Sequence, residues 1–460
     1  MRTSFTGLEI GRRSLLAYQK ALEVTGHNIA NANNKAYSRQ EVNFQATDPY
    51  AIPTMQKGTE AGMIGTGVTV TDVRAVRDEF LNAQARNSLK ALGYWQTHRE
   101  VLQEVELFFN EPGETGISTA LTEFWTAWEE VAADPGTPAV RWTLVERAEA
   151  LAAAIRQVYG QLGELKLTID ESIRHKINQA NGLGQRIAQL NSLVVKIEAT
   201  GDNANDLIDS RNQLVEELSR MMDLNIRYDR YNQAQIVVNG TIFVAGDIVN
   251  RIDIVDMPLA QPVWNHSGGA VLLRQGELGA LLEARDNSVQ SYLDSLVRLA
   301  EDLVDGVNAP HRTGYDQDGI QGGDFFEMRG GPESLQVVAD VRDNPRRIAA
   351  ALEPGKAGDG RVATEIARLR NQSGRFDSRL RSVISQLGIE SQSAGRLAGN
   401  QEFLLKQVEN QRMAATGVSL DEEMTKLIQY QHGYSAAARI VSAVDEMIDT
   451  VINRMGLVGR

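Results

Sequence analysis

The sequence predicts a mainly α fold: a long antiparallel helical bundle or coiled coil formed by the N- and C-terminal segments, with a small β-rich module inserted. Three observations predict it. In the C-terminal stretch Leu420, Leu427, Tyr434, Val441, Ile448 and Met455 recur at every seventh position, and Met424, Ala438 and Ile452 add a second apolar row. At the opposite end Leu8, Leu15, Leu22 and Ile29 keep the same spacing. Over residues 223–275 the helical period gives way to short β-type runs around Asn239-Gly240, a two-residue hairpin signal. A helix cannot bury its own apolar stripe, so each terminal helix needs a partner, and the other terminal helix is the simplest one.

In chain order, Thr6 and Glu9 have capping-box spacing at the start of the first helix, and Asn28, Asn31, Asn33 and Asn34 mark its end. Asparagine tolerates left-handed backbone and competes for backbone hydrogen bonds, which reads as a helix entering a turn; the competing reading is a polar contact surface. Residues 42–73 read as an extended connector with a strand at Val68–Val73. Helices follow from Arg77 to Phe109, from Ser118 to Ala133 around Phe124, Trp125 and Trp128, and from Pro138 to Ala199 as one rod with Gly182 and Gly184 as candidate kinks. Another helix runs to Met222. In the β module, strands are expected at 225–228, 236–238, 241–244, 252–255 and 270–273. Leu282, Val289, Leu296 and Leu303 restore the heptad, and residues 309–360 are loop-rich, with a strand at 335–338 and a short helix after Asn344-Pro345. The last shaft helix spans 374–415, and Ser419 with Glu422 forms the capping box of the final helix.

Five segments result. Residues 1–45 hold the N-terminal helix of a terminal coiled-coil domain, 46–222 the first part of a helical shaft, and 223–275 the β module. Residues 276–417 hold the second part of the shaft, and 418–460 the C-terminal helix of the terminal domain.

The net charge of −13 over 460 residues, without a concentrated basic surface, argues against nucleic acid as a partner. The N-terminus lacks the apolar core of a cleaved signal, and no apolar run reaches the roughly 18 residues of a spanning helix, so membrane insertion is not expected. Composition alone reads as cytoplasmic. The chain has no cysteine, which removes disulfides, thiol nucleophiles and cysteine metal sites together. Its histidines are scattered, and Asp316-Gln317-Asp318-Gly319 lacks the third ligand and distal glutamate of a calcium loop. Asn265-His266-Ser267-Gly268-Gly269 departs from a nucleophile elbow at its first residue. No catalytic residue, metal ligand or cofactor is assigned.

Particular stretches resemble the axial proteins of the bacterial flagellum. They are TGHNIANANNKAYSRQ (residues 25–40), GTGVTVTDV (65–73) and LDEEMTKLIQYQHGYSAAARIVSAVDEM (420–447). With NDLIDSRNQLVEELSRMMDLNI (205–226), GELGALLEARD (276–286) and GYDQDGIQGGDFF (314–326), they are most similar to the flagellar hook-associated protein 1 family. Asn28, Asn31, Asn33, Tyr37, Ser38, Arg39 and Gln40 carry the N-terminal motif, and Ala36 departs from it where the family usually has glycine.

The resemblance implies a structural protein at the junction between hook and filament, exported by the flagellar type III apparatus without a cleaved signal and located outside the cell. Implied partners are copies of itself in a ring, the hook protein, the next hook-associated junction protein and an export chaperone on the C-terminal helix. The β module is then expected at larger radius. Leu8, Leu15, Leu22, Ile29, Leu420, Met424, Leu427, Tyr434, Val441, Ile448, Ile452 and Met455 form the expected assembly interface. A lone amphipathic hairpin gains about 1.5–3 kcal/mol per buried Leu or Val against its ordering entropy, so the terminal pair is expected to order as subunits assemble. The alternatives are another axial flagellar protein and a secreted coiled-coil effector or adhesin. A flagellum-associated hydrolase would need a catalytic set that the sequence does not offer.

Overall fold

The computed structural model describes residues 6–48, 65–110, 113 and 116–454. Helix α1 (Thr6–Ala30) leads into an antiparallel ribbon of β1 (Gln40–Ala46) and β2 (Val68–Ala75), which packs along α1. Four helices follow: α2 (Glu79–Phe109), α3 (Ile117–Ala133), α4 (Pro138–Glu198) and α5 (Asn205–Met221). Helix α2 starts two residues later than the periodicity suggests because Asp78 caps it, its carboxylate accepting from the Leu81 N–H at 3.1 Å.

The spine of the shaft is α4. Its 61 residues span roughly 90 Å at the helical rise, and Pro138 opens it where a missing N–H is harmless. Both expected kink glycines lie inside this one helix. Gly184 has a packing role: a Cβ there would stand 2.9 Å from the ring of Phe243, so its absence lets the β module close on the helix.

Helix α3 buries Phe124, Trp125 and Trp128 completely. Their rings meet Phe325, Phe326 and Phe376, with centroids 5.2 Å apart for Trp128 and Phe325 and 5.3 Å apart for Trp125 and Phe376. This aromatic centre ties the loop-rich segment and the start of the last shaft helix to α3 and α4.

In the β module, β3 (Asn225–Tyr228), β4 (Ala234–Val238), β5 (Thr241–Ala245) and β6 (Ile248–Val249) form one antiparallel sheet in that order. A separate hairpin pairs β7 (Ile252–Asp256) with β8 (Ala260–Trp264). Asn239 and Gly240, with φ of 45° and 85°, make the expected hairpin turn. The strand expected at 270–273 is reduced to a single bridge between Ala270 and Val263, and β8 takes its place as the partner of β7. Side chains of α4 fasten the strands: Asn181 brackets the Ile252 backbone at 2.8 and 3.0 Å, and Asn191 brackets Ala234 at 2.9 Å on both sides. Fully buried Arg285 reaches Asp170 of α4 at 2.6 Å and the Ala260 carbonyl at 2.8 Å.

Helix α6 (Gly276–Glu283) passes through a π turn into α7 (Val289–His311). The strand expected at 335–338 is a two-residue pairing of β9 (Phe326–Glu327) with β10 (Gln336–Val337), and a 3-10 turn at Pro345–Arg347 stands where a short helix was expected. Two short helices, α8 (Ala339–Asp343) and α9 (Arg361–Arg368), were not visible in the sequence. Buried Arg141 of α4 stitches this segment down by donating to the Pro135 and Ile348 carbonyls at 2.8 and 2.7 Å. Helix α10 (Phe376–Thr416) runs antiparallel to α2, with Ser391 on Glu106 and Gly395 on Arg99. The chain then turns into α11 (Leu420–Asp449), which pairs with α1.

Candidate assembly helices and their joint to the shaft

Helices α1 and α11 lie antiparallel: Gly7 faces Val444, Gly11 faces Val441, Tyr18 faces Gly433 and Asn28 faces Glu423. Small residues make the seam. A Cβ on Gly11 would stand 2.6 Å from a Val441 methyl, and one on Gly433 the same distance from the Tyr18 ring, so the helices approach at these points as only glycine permits. The buried residues of α1 are Gly11, Ala17, Ala21, Val24, Thr25 and Asn28, and those of α11 are Glu423, Ala437 and Val444. Tyr18, Phe44 and Tyr430 meet in an aromatic triad with centroids 6.0–6.4 Å apart, which lays the ribbon over the seam.

This geometry moves the expected seam. The row of Leu8, Leu15, Leu22 and Ile29 lies one residue beyond the line of Gly7, Ala21 and Asn28, about 100° around the helix, and all four are only partly buried. On α11 the buried line is Glu423, Ala437 and Val444 rather than Leu420, Leu427, Tyr434, Val441 and Ile448. Val441 is the member of that row found against α1; Leu427 and Ile448 are half-buried, and Leu420, Tyr434, Met424 and Ile452 are exposed. Met455 lies outside the described residues. The physical reason is that close helix contact selects small side chains, whereas a periodicity search follows large apolar ones.

The glutamates of both expected capping boxes are drawn to arginines. Glu9 pairs with Arg12 at 2.9 Å and Arg13 at 2.7 Å, and their hydrogen bonds hold its carboxyl at about 2, below the usual range. Ser419 makes no side-chain cap bond, and Glu422 instead accepts from Arg39 at 2.9 Å.

Part of the asparagine-rich motif, from Asn28 to Gln40, forms an internal joint, while Asn33 and Asn34 stay exposed. Asn28 uses both ends of its amide: Nδ2 donates to the Gln40 carbonyl at 2.8 Å and to Glu423 at 2.9 Å, while Oδ1 accepts from the Gln40 N–H at 2.9 Å and the Tyr37 hydroxyl at 2.7 Å. Burial, then the carboxylates of Asp206, Asp209 and Glu423, pushes the Tyr37 phenol above its ordinary value, so it remains a donor. Ser38 donates its N–H and hydroxyl to Asp209 of α5, both at 2.9 Å, and Arg77 reaches the same carboxylate at 2.8 Å. Gln40 donates to Asp206 at 2.7 Å, and the Arg39 N–H to the Thr416 carbonyl at 3.1 Å. Asn31 caps its own helix end by donating to the His27 carbonyl, and Asn33 is exposed. Ala36 stays out of the left-handed region, because Asn34 accepts its N–H at 3.1 Å and makes the turn without glycine.

Asp206, Asp209, Arg77 and Glu423 are the joint residues that sequence reading missed. The only advance signal was that Asp206 and Asp209 lie in one family-like stretch and Glu423 in another. A polar cleft of about 590 Å³ beside the joint is lined by His27, Gln40, Asp72, Asp202 and Asp206. Among the described residues no group of three or more His, Asp or Glu is placed to hold a metal ion, and no helix is long and apolar enough to cross a membrane.

Residues 102–326 match the family model described as "Flagellar hook-associated protein FlgK helical domain", and residues 409–455 match "Flagellar basal body rod FlgEFG protein C-terminal". The chain is 30% identical to flagellar hook-associated protein 1 of Bacillus subtilis over the whole of both chains. The chain belongs to the flagellar hook-associated protein 1 family. The Salmonella typhimurium and Escherichia coli members are 23% and 22% identical over 95% of this chain and 98% of theirs. A solved flagellar hook junction protein from Burkholderia pseudomallei overlaps 55% of this chain and 47% of its own at 24% identity, with a TM-score of 0.49. As a member of the hook-associated protein 1 family, the chain is a structural protein of the bacterial flagellum.

Proposed function

We propose that this chain, a structural protein of the hook–filament junction, takes its place there by packing its terminal helices against those of neighbouring copies. One observation carries the reading. Pairing with α1 leaves Leu420, Met424, Ile428, Tyr434, Ile440 and Met447 of α11, and Ile452 just after it, exposed, a run of apolar side chains that a soluble helix pair has no reason to keep in water. Leu8, Leu15, Leu22, Leu427 and Ile448, half-buried at the border of the seam, extend that surface. Copies in a ring, the hook protein below and the next hook-associated protein above are the partners, and an export chaperone covers α11 before secretion. Once outside, the shaft, from α2 to α10, is the folded body that carries the β module outward.

Replacing Leu427 with Asp places a charge at this border without touching the shaft core. Incorporation into flagella should be abolished while the shaft unfolds as in the unaltered chain. Normal incorporation would reject the interface.

A further inference from the structure

The seam of α1 and α11 must be held in one register, and most of it does so weakly. Gly7 meets Val444, and Gly11 meets Val441 and the Ala437 backbone, and small apolar surfaces of this kind fit again after a slide of one heptad. Tyr18 over Gly433 biases the register, but a tyrosine can swing aside at the edge of a helix pair. One buried polar contact stands apart. Asn28 and Glu423 are 1% and 0% exposed, and the Glu423 carboxylate is shared between Asn28 at 2.9 Å and Lys426 at 3.2 Å.

We propose that Asn28 and Glu423 are the register key of the terminal helix pair, fixing which turn of α11 lies on which turn of α1. Asn28 is suited to this because Gln40 and Tyr37 occupy both lone-pair directions of its carbonyl and one of its N–H groups, leaving one N–H aimed at α11. A slide of one heptad moves α11 by about 10 Å. In one direction Glu423 then faces Ala21, and in the other Asn28 faces Tyr430. Either way Glu423 keeps Lys426, which travels with it on α11, but the hydrogen bond across the seam is lost, and a buried Asn28 N–H and a buried acceptor oxygen left unmatched are a heavier penalty than an exchange of small apolar contacts. The polar pair therefore discriminates between registers that the glycines and alanines accept alike. The same joint runs through Gln40 and Ser38 to Asp206 and Asp209, so the register is set relative to the shaft as well. This inference concerns the pairing within one chain, and it holds or fails independently of whether copies pack through the exposed rows.

The absence of cysteine makes a direct test possible in the full-length chain. Three double variants place thiols at Gly11→Cys with Val441→Cys, the observed neighbours, or with Tyr434→Cys or Ile448→Cys, one heptad to either side. Disulfide formation under mild oxidation should favour the first pair by at least roughly tenfold. With Asn28→Leu and Glu423→Leu added, which make both buried positions apolar, the three rates should converge to within about threefold. Glu423→Gln, which preserves an acceptor for Asn28, should retain the original preference. A preference that survives the leucine replacements would overturn the proposal, as would comparable rates in the unaltered background or loss of preference in Glu423→Gln. Loss of cross-linking at all three pairs in the leucine background would also overturn it, because the polar pair would then be holding the helices together rather than choosing between registers.

Discussion

The shaft and the terminal pair are both helix packings, but they bury opposite kinds of residue. Around α3 and α4 the chain encloses Phe124, Trp125, Trp128, Phe325, Phe326 and Phe376, each at 0% exposure. Along α1 and α11 it encloses glycine, alanine and a polar pair, and leaves its large apolar side chains partly or wholly in water. A core of large interlocking rings is complete within one molecule. A seam of small residues brings two backbones close yet removes little apolar area from water, so such a pair gains its stability elsewhere. The difference supports the proposed division of roles, with the shaft as the folded body and the terminal pair as the part that neighbouring copies would complete.

That contrast can be broken most strongly at Trp128. Its replacement by Ala removes a fully buried ring system among Phe124, Phe325 and His311 and should lower shaft stability by about 3–5 kcal/mol in denaturant unfolding. A loss below about 1 kcal/mol would show that the aromatic centre is not the core of the shaft.

Close behind is a pH effect centred on His311. This imidazole is fully buried, donates from Nδ1 to the Gly323 carbonyl at 2.8 Å and accepts the Ala349 N–H at Nε2 at 3.0 Å, so its neutral form is the one that fits. Burial pushes its pKa down to about 4. An unfolded histidine takes up its proton near pH 6.5. The stabilisation is therefore full above that value, declines as the pH falls and is gone by about 4, a loss on the order of 3 kcal/mol. His311→Gln should flatten the shaft's stability between these limits, and a slope unchanged by that substitution would remove His311 as its cause.

The smallest effect is the sharpest on the comparison. Val444→Ala trims a buried residue of the terminal seam and should leave the shaft's unfolding midpoint within about 0.5 kcal/mol of the parent value. A larger shift would mean that the two regions unfold as one.

Much of the shaft was legible because its signals are local. Asn239-Gly240 announces a hairpin, the aromatic run of α3 announces a buried face, and Pro138 announces a helix start. Strand β8 was hidden because Pro262 interrupts its pattern, and α8 and α9 because five and eight residues are too few to show a period. The pairing of the chain's two ends could be read from their matching heptads, but the seam was placed one residue away on α1, because large residues dominate a periodicity and small ones make the contact. The joint was illegible for a different reason. Ser38 and Asp209 are separated by 171 positions, and neither residue signals that the other exists until the fold brings them together.

Amide exchange in dilute, unassembled protein tests the division of roles most directly, since local stability follows buried apolar contact and is read residue by residue. Residues 6–30 and 420–449 should exchange rapidly while α4 stays protected, and both should be protected in assembled flagella. Strong protection of α1 and α11 in the free chain, equal to that of α4, would contradict the account.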